Sequence, residues 1–300
     1  MVVSDSPRKT IYGFPGFYDP GAGPNQLQPG FTLGGTNNPV IAWVGQSMIF
    51  SPDNSRLWVG NELGGMSLYR NPLTNSGDRA PDLVLHIAGT QWYSIWYEAQ
   101  SDTLYATTMN TDRIYAWDSA STGNANRAPD RIIEVPGYHG EGYLIGAHGS
   151  NTLLMAARVH NIERFVVFYD ADQLDGLNAA DRYFEPEGFN VAFTHALSWD
   201  ATRNLLYYVV PDRNEISVYA DASNLTGDVT PNRVINVPNV DGQDWITGAI
   251  VSSADDLLFV STFEGQIMVF ANASGLQGTP QPATTHAVGD MALGLGVFRQ

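Results

Sequence analysis

An all-β propeller is the fold this sequence predicts, and three observations predict it. Aromatic residues recur at nearly constant phase, at Tyr18, Tyr69, Trp117, Tyr169, Tyr219 and Phe270, about one every fifty residues. The same order of short apolar runs and polar turns returns between them. No segment of ten or more residues combines helical spacing with recognisable caps. A period near fifty marks repeated supersecondary units that bury apolar faces against one another, in a solenoid or a propeller.

Each unit opens with a strand a and a polar turn, as in Ser47-Met48-Ile49-Phe50 before Ser51-Pro52-Asp53-Asn54, or His195-Ala196-Leu197-Ser198-Trp199 before Asp200-Ala201-Thr202-Arg203-Asn204. Strand b follows at once: Arg56 to Val59, Thr103 to Ala106, Thr152 to Met155, Leu205 to Val209 and Leu257 to Val260. Strand c carries the phased aromatic, as in Arg113-Ile114-Tyr115-Ala116-Trp117. These runs of β-branched, aromatic and aliphatic residues between turn residues are strand signatures. Strands b and c are apolar at nearly every position, so both faces are covered.

A loop of Asn, Gly and Pro then leads to strand d on a repeated frame: Ala80-Pro81-Asp82, Ala128-Pro129-Asp130, Ala179-Ala180-Asp181 and Thr230-Pro231-Asn232. Proline at a strand start suits an edge, where no ladder donor is needed. Strand d is therefore read as the outer edge. Four-stranded sheets running from an inner strand to an outer edge are propeller blades.

The sequence gives a single domain, 1–300, of six four-stranded blades, the last closed by both termini. In that blade Phe17-Tyr18-Asp19 matches Phe168-Tyr169-Asp170 as strand c, Gln28 to Gly34 serves as strand d, and Gly294 to Phe298 has the phase of strand a. A second register places strand d over Ser6 to Gly16. The alternative to six blades is a five-bladed ring with a C-terminal strand added to an existing sheet.

Composition narrows the chemistry. With 43% hydrophobic residues the 300-residue chain can bury a large core unaided. The absence of Cys excludes disulfides, thiolate nucleophiles and Cys-ligated zinc. The only Lys is Lys9, in a polar N-terminal run, so Schiff-base chemistry and pyridoxal phosphate are not expected. A formal charge of -16 makes nucleic acid a poor partner. No signal peptide or membrane span is visible, so a soluble monomer is expected, with the compartment open and the cytoplasm favoured.

Strand order sorts the loops onto two faces. The a-to-b turns and c-to-d loops share one vocabulary of Ser, Pro, Asp and Asn, as turn formation alone produces, and that face reads as structural. The opposite face, of blade-to-blade crossings and b-to-c turns, is varied. It carries Trp92, Tyr93, His139, Glu141, Trp245, Glu62, Asn110, Arg158, His160, Asn161, Asp212 and Glu264, while His148 and His195 start first strands beside it. Loops on a rigid scaffold commonly hold binding groups. Each residue also has a plain structural role open to it: histidines satisfying backbone, carboxylates in water, aromatics wedging blades.

No His-Glu-x-x-His, Gly-x-Ser-x-Gly, Walker or dinucleotide motif is present, and Gly294-Leu295-Gly296 lacks a third Gly. The six-unit plan, the size and the Ser-Pro-Asp-Asn turn before Arg-Leu-Trp-Val resemble the six-bladed lactonase-like propellers, the group of senescence marker protein, gluconolactonase and strictosidine synthase-like proteins. The resemblance implies one divalent cation, often calcium, at the channel mouth on Glu, Asn and Asp of different blades. Asn61, Glu62, Asn110, Asn161, Asp212 and Glu264 are the positions that mimic such ligands. The family's Glu-Gly-Pro segment has no counterpart, since Val44-Gly45-Gln46-Ser47 stands there. A metal-free version would place acid/base work on His148, His160 and His195, with Glu141 beside them.

The function expected is hydrolysis or isomerisation of an uncharged or cationic small organic substrate held by Gln46, Trp92, Tyr93, His139, Arg158 and Trp245. The alternative is a non-catalytic propeller that binds a glycan or a protein partner. Asn224-Leu225-Thr226 and Asn272-Ala273-Ser274 are sequons that suit the alternative.

Overall fold

The structure is a computed structural model and describes residues 2–5, 10–14, 30–34, 44–61, 65–88, 90, 92–108, 111–138, 143–147, 151–160, 162–187, 197–210, 213–238, 240, 245–288 and 292–296. In chain order the strands are β1 (Val2–Asp5), β2 (Thr10–Gly13), β3 (Phe31–Gly34), β4 (Val44–Phe50), β5 (Arg56–Asn61), β6 (Gly65–Arg70), β7 (Leu83–Leu85), β8 (Trp92–Glu98) and β9 (Thr103–Thr108). Then come β10 (Arg113–Trp117), β11 (Arg131–Glu134), β12 (Tyr143–Ala147), β13 (Thr152–Val159), β14 (Ile162–Phe168), β15 (Gly176–Leu177), β16 (Arg182–Pro186), β17 (Leu197–Asp200) and β18 (Leu205–Val210). The chain finishes with β19 (Glu215–Ala220), β20 (Gly227–Val229), β21 (Arg233–Asn236), β22 (Ile246–Ser252), β23 (Leu257–Thr262), β24 (Gln266–Ala271), β25 (Thr284–Ala287) and β26 (Ala292–Gly296).

They form an all-β propeller. Five blades are continuous meanders with β4, β8, β12, β17 and β22 innermost. A further composite sheet runs β26-β1-β2-β3 and joins the two ends of the chain, with Val3 opposite Leu295. The inner strands pack in a closed cycle, β4 to β8 to β12 to β17 to β22 to β26 and back to β4. Among the described residues helix is confined to short 3₁₀ turns such as Ala171–Gln173, and no helix is long and apolar enough to cross a membrane.

Burial follows the pattern of the sequence. β9 and β23 are buried along their whole length, and β5, β6, β18, β19 and β24 are buried at most positions. Blades are glued by interdigitated side chains between neighbouring sheets, as where Tyr207, Val209 and Ile216 pack with Leu258, Val260 and Phe270. The phased aromatic marks this layer: Tyr69, Trp117, Tyr219 and Phe270 stand opposite Leu57, Leu104, Leu206 and Leu258 of strand b, each buried.

Two assignments need correction. Opposite Leu153 stands Phe168, fully buried, whereas Tyr169 lies just past β14 and is 45% exposed. The long run from Phe165 to Tyr169 offers two adjacent aromatics, and only strand pairing decides which points inward. In the composite sheet strand c is β2, Thr10–Gly13, paired with β3 over Phe31–Gly34. Strand d is thus where expected, but Tyr18 falls outside the described residues, and Thr10 to Gly13 forms strand c and not the strand d of the second register.

Nor is strand d a bare edge. β15 pairs in parallel with β11 and β20 with β16, while Gly77 bridges to Leu33 and Gly278 to Ile235. The amide of Asn126 donates to the Val84 carbonyl at 2.8 Å. Thus, in the five meander blades, the c-to-d loop lies along the outer strand of the preceding sheet. The residues at the crossing, Gly77, Asn126, Gly176, Gly227 and Gly278, all have left-handed φ between 55° and 116°, which favours Gly and Asn. Arg131, Arg182 and Arg233 strengthen the overlap by donating to the carbonyls of Leu174, Leu225 and Leu276 at 2.9, 2.7 and 2.9 Å. Covered edges resist pairing with other chains.

The repeated Pro-Asp frame also has a cause. Asp82, Asp130, Asp181 and Asn232 accept from the amides of Arg70, Asp118, Tyr169 and Ala220 at 2.6 to 2.8 Å, which closes the gap where strands c and d part. On the same face Asp102, Asn151, Asn204 and Asp256, all left-handed, end the a-to-b turns. Their carbonyls accept from the amides of Ala120, Ala171, Ala222 and Ala273, and their side chains from the amides of Ser121, Asp172, Ser223 and Ser274. This belt of hydrogen bonds accounts for the uniform turn vocabulary of that face.

Candidate functional site

On the crossing face, strand b changes character at its last residues. β5 ends in Gly60-Asn61, β9 in Thr107-Thr108 and β23 in Ser261-Thr262, and every one of these polar side chains is buried. Ser94 and Thr247, near the starts of β8 and β22, are buried as well. Thr247 Oγ1 lies 3.0 Å from Ser261 Oγ, and Thr108 Oγ1 lies 2.5 Å from Thr111 Oγ1. Asn61 Nδ2 donates to Ser67 Oγ at 3.3 Å, while its Oδ1 is buried with no hydrogen-bond partner among the described residues. The sequence reading passed over these hydroxyls. Polar pairs closing otherwise apolar strands were the available signal.

Trp245 and Phe263 form the aromatic feature of this face. Trp245 directly precedes β22 and Phe263 sits in the β23-to-β24 turn; their rings stack at 4.0 Å with an interplanar angle of 22°. The Phe263 amide donates to the Trp245 carbonyl at 2.9 Å, which fixes the crossing to the turn. Trp245 remains 38% exposed, and exposed Glu264 follows.

Trp92 does not join it. Its side chain is 2% exposed, packed against Tyr115 and Trp117 at centroid distances of 5.6 and 5.7 Å, and its Nε1 donates to His86 Nδ1 at 3.4 Å. The indole is a blade wedge, because strand alternation turns it into the sheet interface. Arg158 is paired with Glu163 at 2.6 Å, and Arg164 with Glu185 at 2.7 Å while lying over the Tyr183 ring. Both guanidinium charges are thus matched between neighbouring strands of one blade.

His160 is exposed with a left-handed φ of 53°, and its amide donates to the Gly137 carbonyl at 2.7 Å. Its ring lies on Gly137, where a Cβ would come within 2.3 Å of Cε1 and Nδ1. The pair clasps a b-to-c turn to a crossing. Glu62, Asn110, His139, Glu141, His148, Asn161, His195 and Asp212 lie outside the described residues, as do the side chains of Gln46 and Tyr93. Among the described residues no three His, Asp or Glu side chains converge to hold a metal.

A scan against protein-family models and a search of curated proteins both find no match.

Proposed function

We propose that the chain is a six-bladed propeller of the lactonase-like type, which binds an uncharged or cationic organic molecule on the crossing face and hydrolyses or isomerises it. The count of six takes the composite sheet as a blade, supported by the closed cycle of inner strands. The observation that carries the binding assignment is the exposed Trp245 plate backed by Phe263. A flat indole held rigid from behind offers a ring-bearing substrate a large contact at low entropic cost. The charge of -16 favours neutral or cationic molecules.

Asn61 Oδ1, which no described residue hydrogen-bonds, has the donor chemistry that the family's cation takes, a hard amide oxygen. Asn61 with Glu62, Asn110, Asn161 and Asp212 would hold such an ion, which supplies Lewis-acid polarisation of a carbonyl or phosphoryl oxygen. His148, His195 and His160, with Glu141, are the residues proposed to move protons, and Gln46, Tyr93, His139 and Trp245 those proposed to orient the substrate.

Two experiments test this reading. Metal analysis of the purified protein, with melting curves before and after chelation, is expected to find one bound divalent ion and a lowered melting temperature on its removal. Turnover of a lactone panel by His148→Ala and His195→Ala is expected to collapse while both variants stay folded; full turnover removes those residues from the reaction. The second reading, a non-catalytic glycan-binding propeller, is favoured by the same plate, since sugar rings stack on Trp. Saturable glycan binding without turnover would decide for it.

A further inference from the structure

The face whose turns are monotonous holds a feature that its turn sequences do not disclose. Where the central channel opens between the a-to-b turns lies a cavity of 290 Å³. Its walls come from inner strands on either side of the channel: Phe50 of β4 with Trp96 and Tyr97 of β8, facing across to Trp199 of β17 with Ile250 and Val251 of β22. Exposed turn residues, among them Pro52, Ala201 and Ala254, form the rim.

Protein interiors are packed to crystal density, and an apolar-walled cavity of about 150 Å³ already takes up benzene. This one is nearly twice that size. It is also electrically quiet in a chain with 31 acidic residues, since none of its described lining residues is Asp, Glu, Lys, Arg or His. The carboxylates of the adjoining turns are already engaged: Asp53 accepts from Ser51 Oγ at 2.6 Å and Asp255 from Ser252 Oγ at 2.6 Å, both serines of the cavity lining, and Asp200 accepts from Arg203 Nη1 at 2.8 Å. The Tyr97 hydroxyl donates to Asp102 at 2.8 Å and accepts from Arg56 at 3.2 Å. What it leaves to the cavity is a ring.

We propose that this end of the channel is a binding site, separate from the crossing face, for an uncharged and predominantly apolar organic molecule of about two fused rings. An anionic ligand is refused because it would lose its hydration without gaining a counter-charge from any described lining residue. The largely apolar walls and the absence of a cationic side chain among the described lining residues together set this selectivity.

The test is calorimetric titration of the whole chain with 2-naphthol, and in parallel with 2-naphthoate, its anionic relative. One saturable site for 2-naphthol below about 1 mM is expected, with 2-naphthoate weaker by roughly tenfold or more. Ala99→Trp, which fills the cavity, and Ala254→Trp, which closes the exposed rim, should each abolish 2-naphthol binding, and the rim variant serves if the first fails to fold. Trp245→Ala, on the other face, should leave it intact. Absence of saturable binding overturns the proposal, as does binding that survives a folded Ala254→Trp variant but is lost in Trp245→Ala. The failure of the crossing-face reading would show instead in turnover and leave this titration unmoved.

Discussion

Asp102 carries the hydrogen bonds of three donors from a backbone conformation that most residues avoid. With φ at 51° it accepts from Tyr97 Oη at 2.8 Å and from both Oγ and N of Ser121, at 2.9 and 3.2 Å. Asp102→Ala loses these bonds and keeps the unfavourable dihedral, so a cost of about 2–4 kcal/mol in urea unfolding is expected. Asp102→Asn tolerates the left-handed region and keeps an acceptor, and should cost less than half as much. Tyr97 ties the same latch to pH. Burial, and then the Asp102 carboxylate, push its phenol up to about 12 from 10.0. The neutral phenol is therefore the form the fold prefers, and its stabilising share is complete below pH 10 and lost as the pH rises from 10 to 12. Unfolding curves of wild type and Tyr97→Phe should converge across that window, with the Phe variant the less sensitive to alkali.

The overlap between units gives the elements their clearest test. At Gly278 a Cβ would meet nothing within 4 Å, so only the φ of 66° opposes a side chain. Gly278→Val should cost about 1–2 kcal/mol or more from backbone strain alone, and Gly278→Asn a few tenths, because Asn126 already serves at the equivalent crossing. Thermal melts of the two variants check both values. This overlap was also the part of the fold least legible in the sequence. Strands a to d declare themselves through hydropathy and turn residues, and their frames hold nearly residue for residue. Parallel pairings of two or three residues bury little and leave only a recurring Gly or Asn, easily read as loop vocabulary. Phe168 and Tyr169 could not be told apart because adjacent aromatics both satisfy a period of fifty. The crossing face was chosen for its varied loops, and of its candidates the structure places Trp245 at a surface and Trp92 in a core. The cavity went unseen because its walls are the ends of inner strands, whose apolar residues look like ordinary core. Under the proposed function, Trp245→Ala is expected to raise KM for a lactone substrate three- to tenfold with kcat nearly unchanged, the size of one stacking contact, in steady-state kinetics.

For the molecule as a whole, one pairing closes the circle. β26 is the inner strand of the composite sheet, and Leu295, which is buried, packs with Phe14, Phe259 and Val269. Removing residues 291–300 should lower the melting temperature by about 10 °C or more and expose the flank of β1 to other chains, visible as larger species in size-exclusion chromatography. Every other sheet is assembled from residues close in sequence, whereas this one joins positions nearly three hundred apart. A single strand that must travel back to the start of its own chain can dock equally well on the start of another. Closed rings and strand-exchanged oligomers then share identical interfaces, and chain concentration during refolding, more than temperature, should govern how the population divides between them.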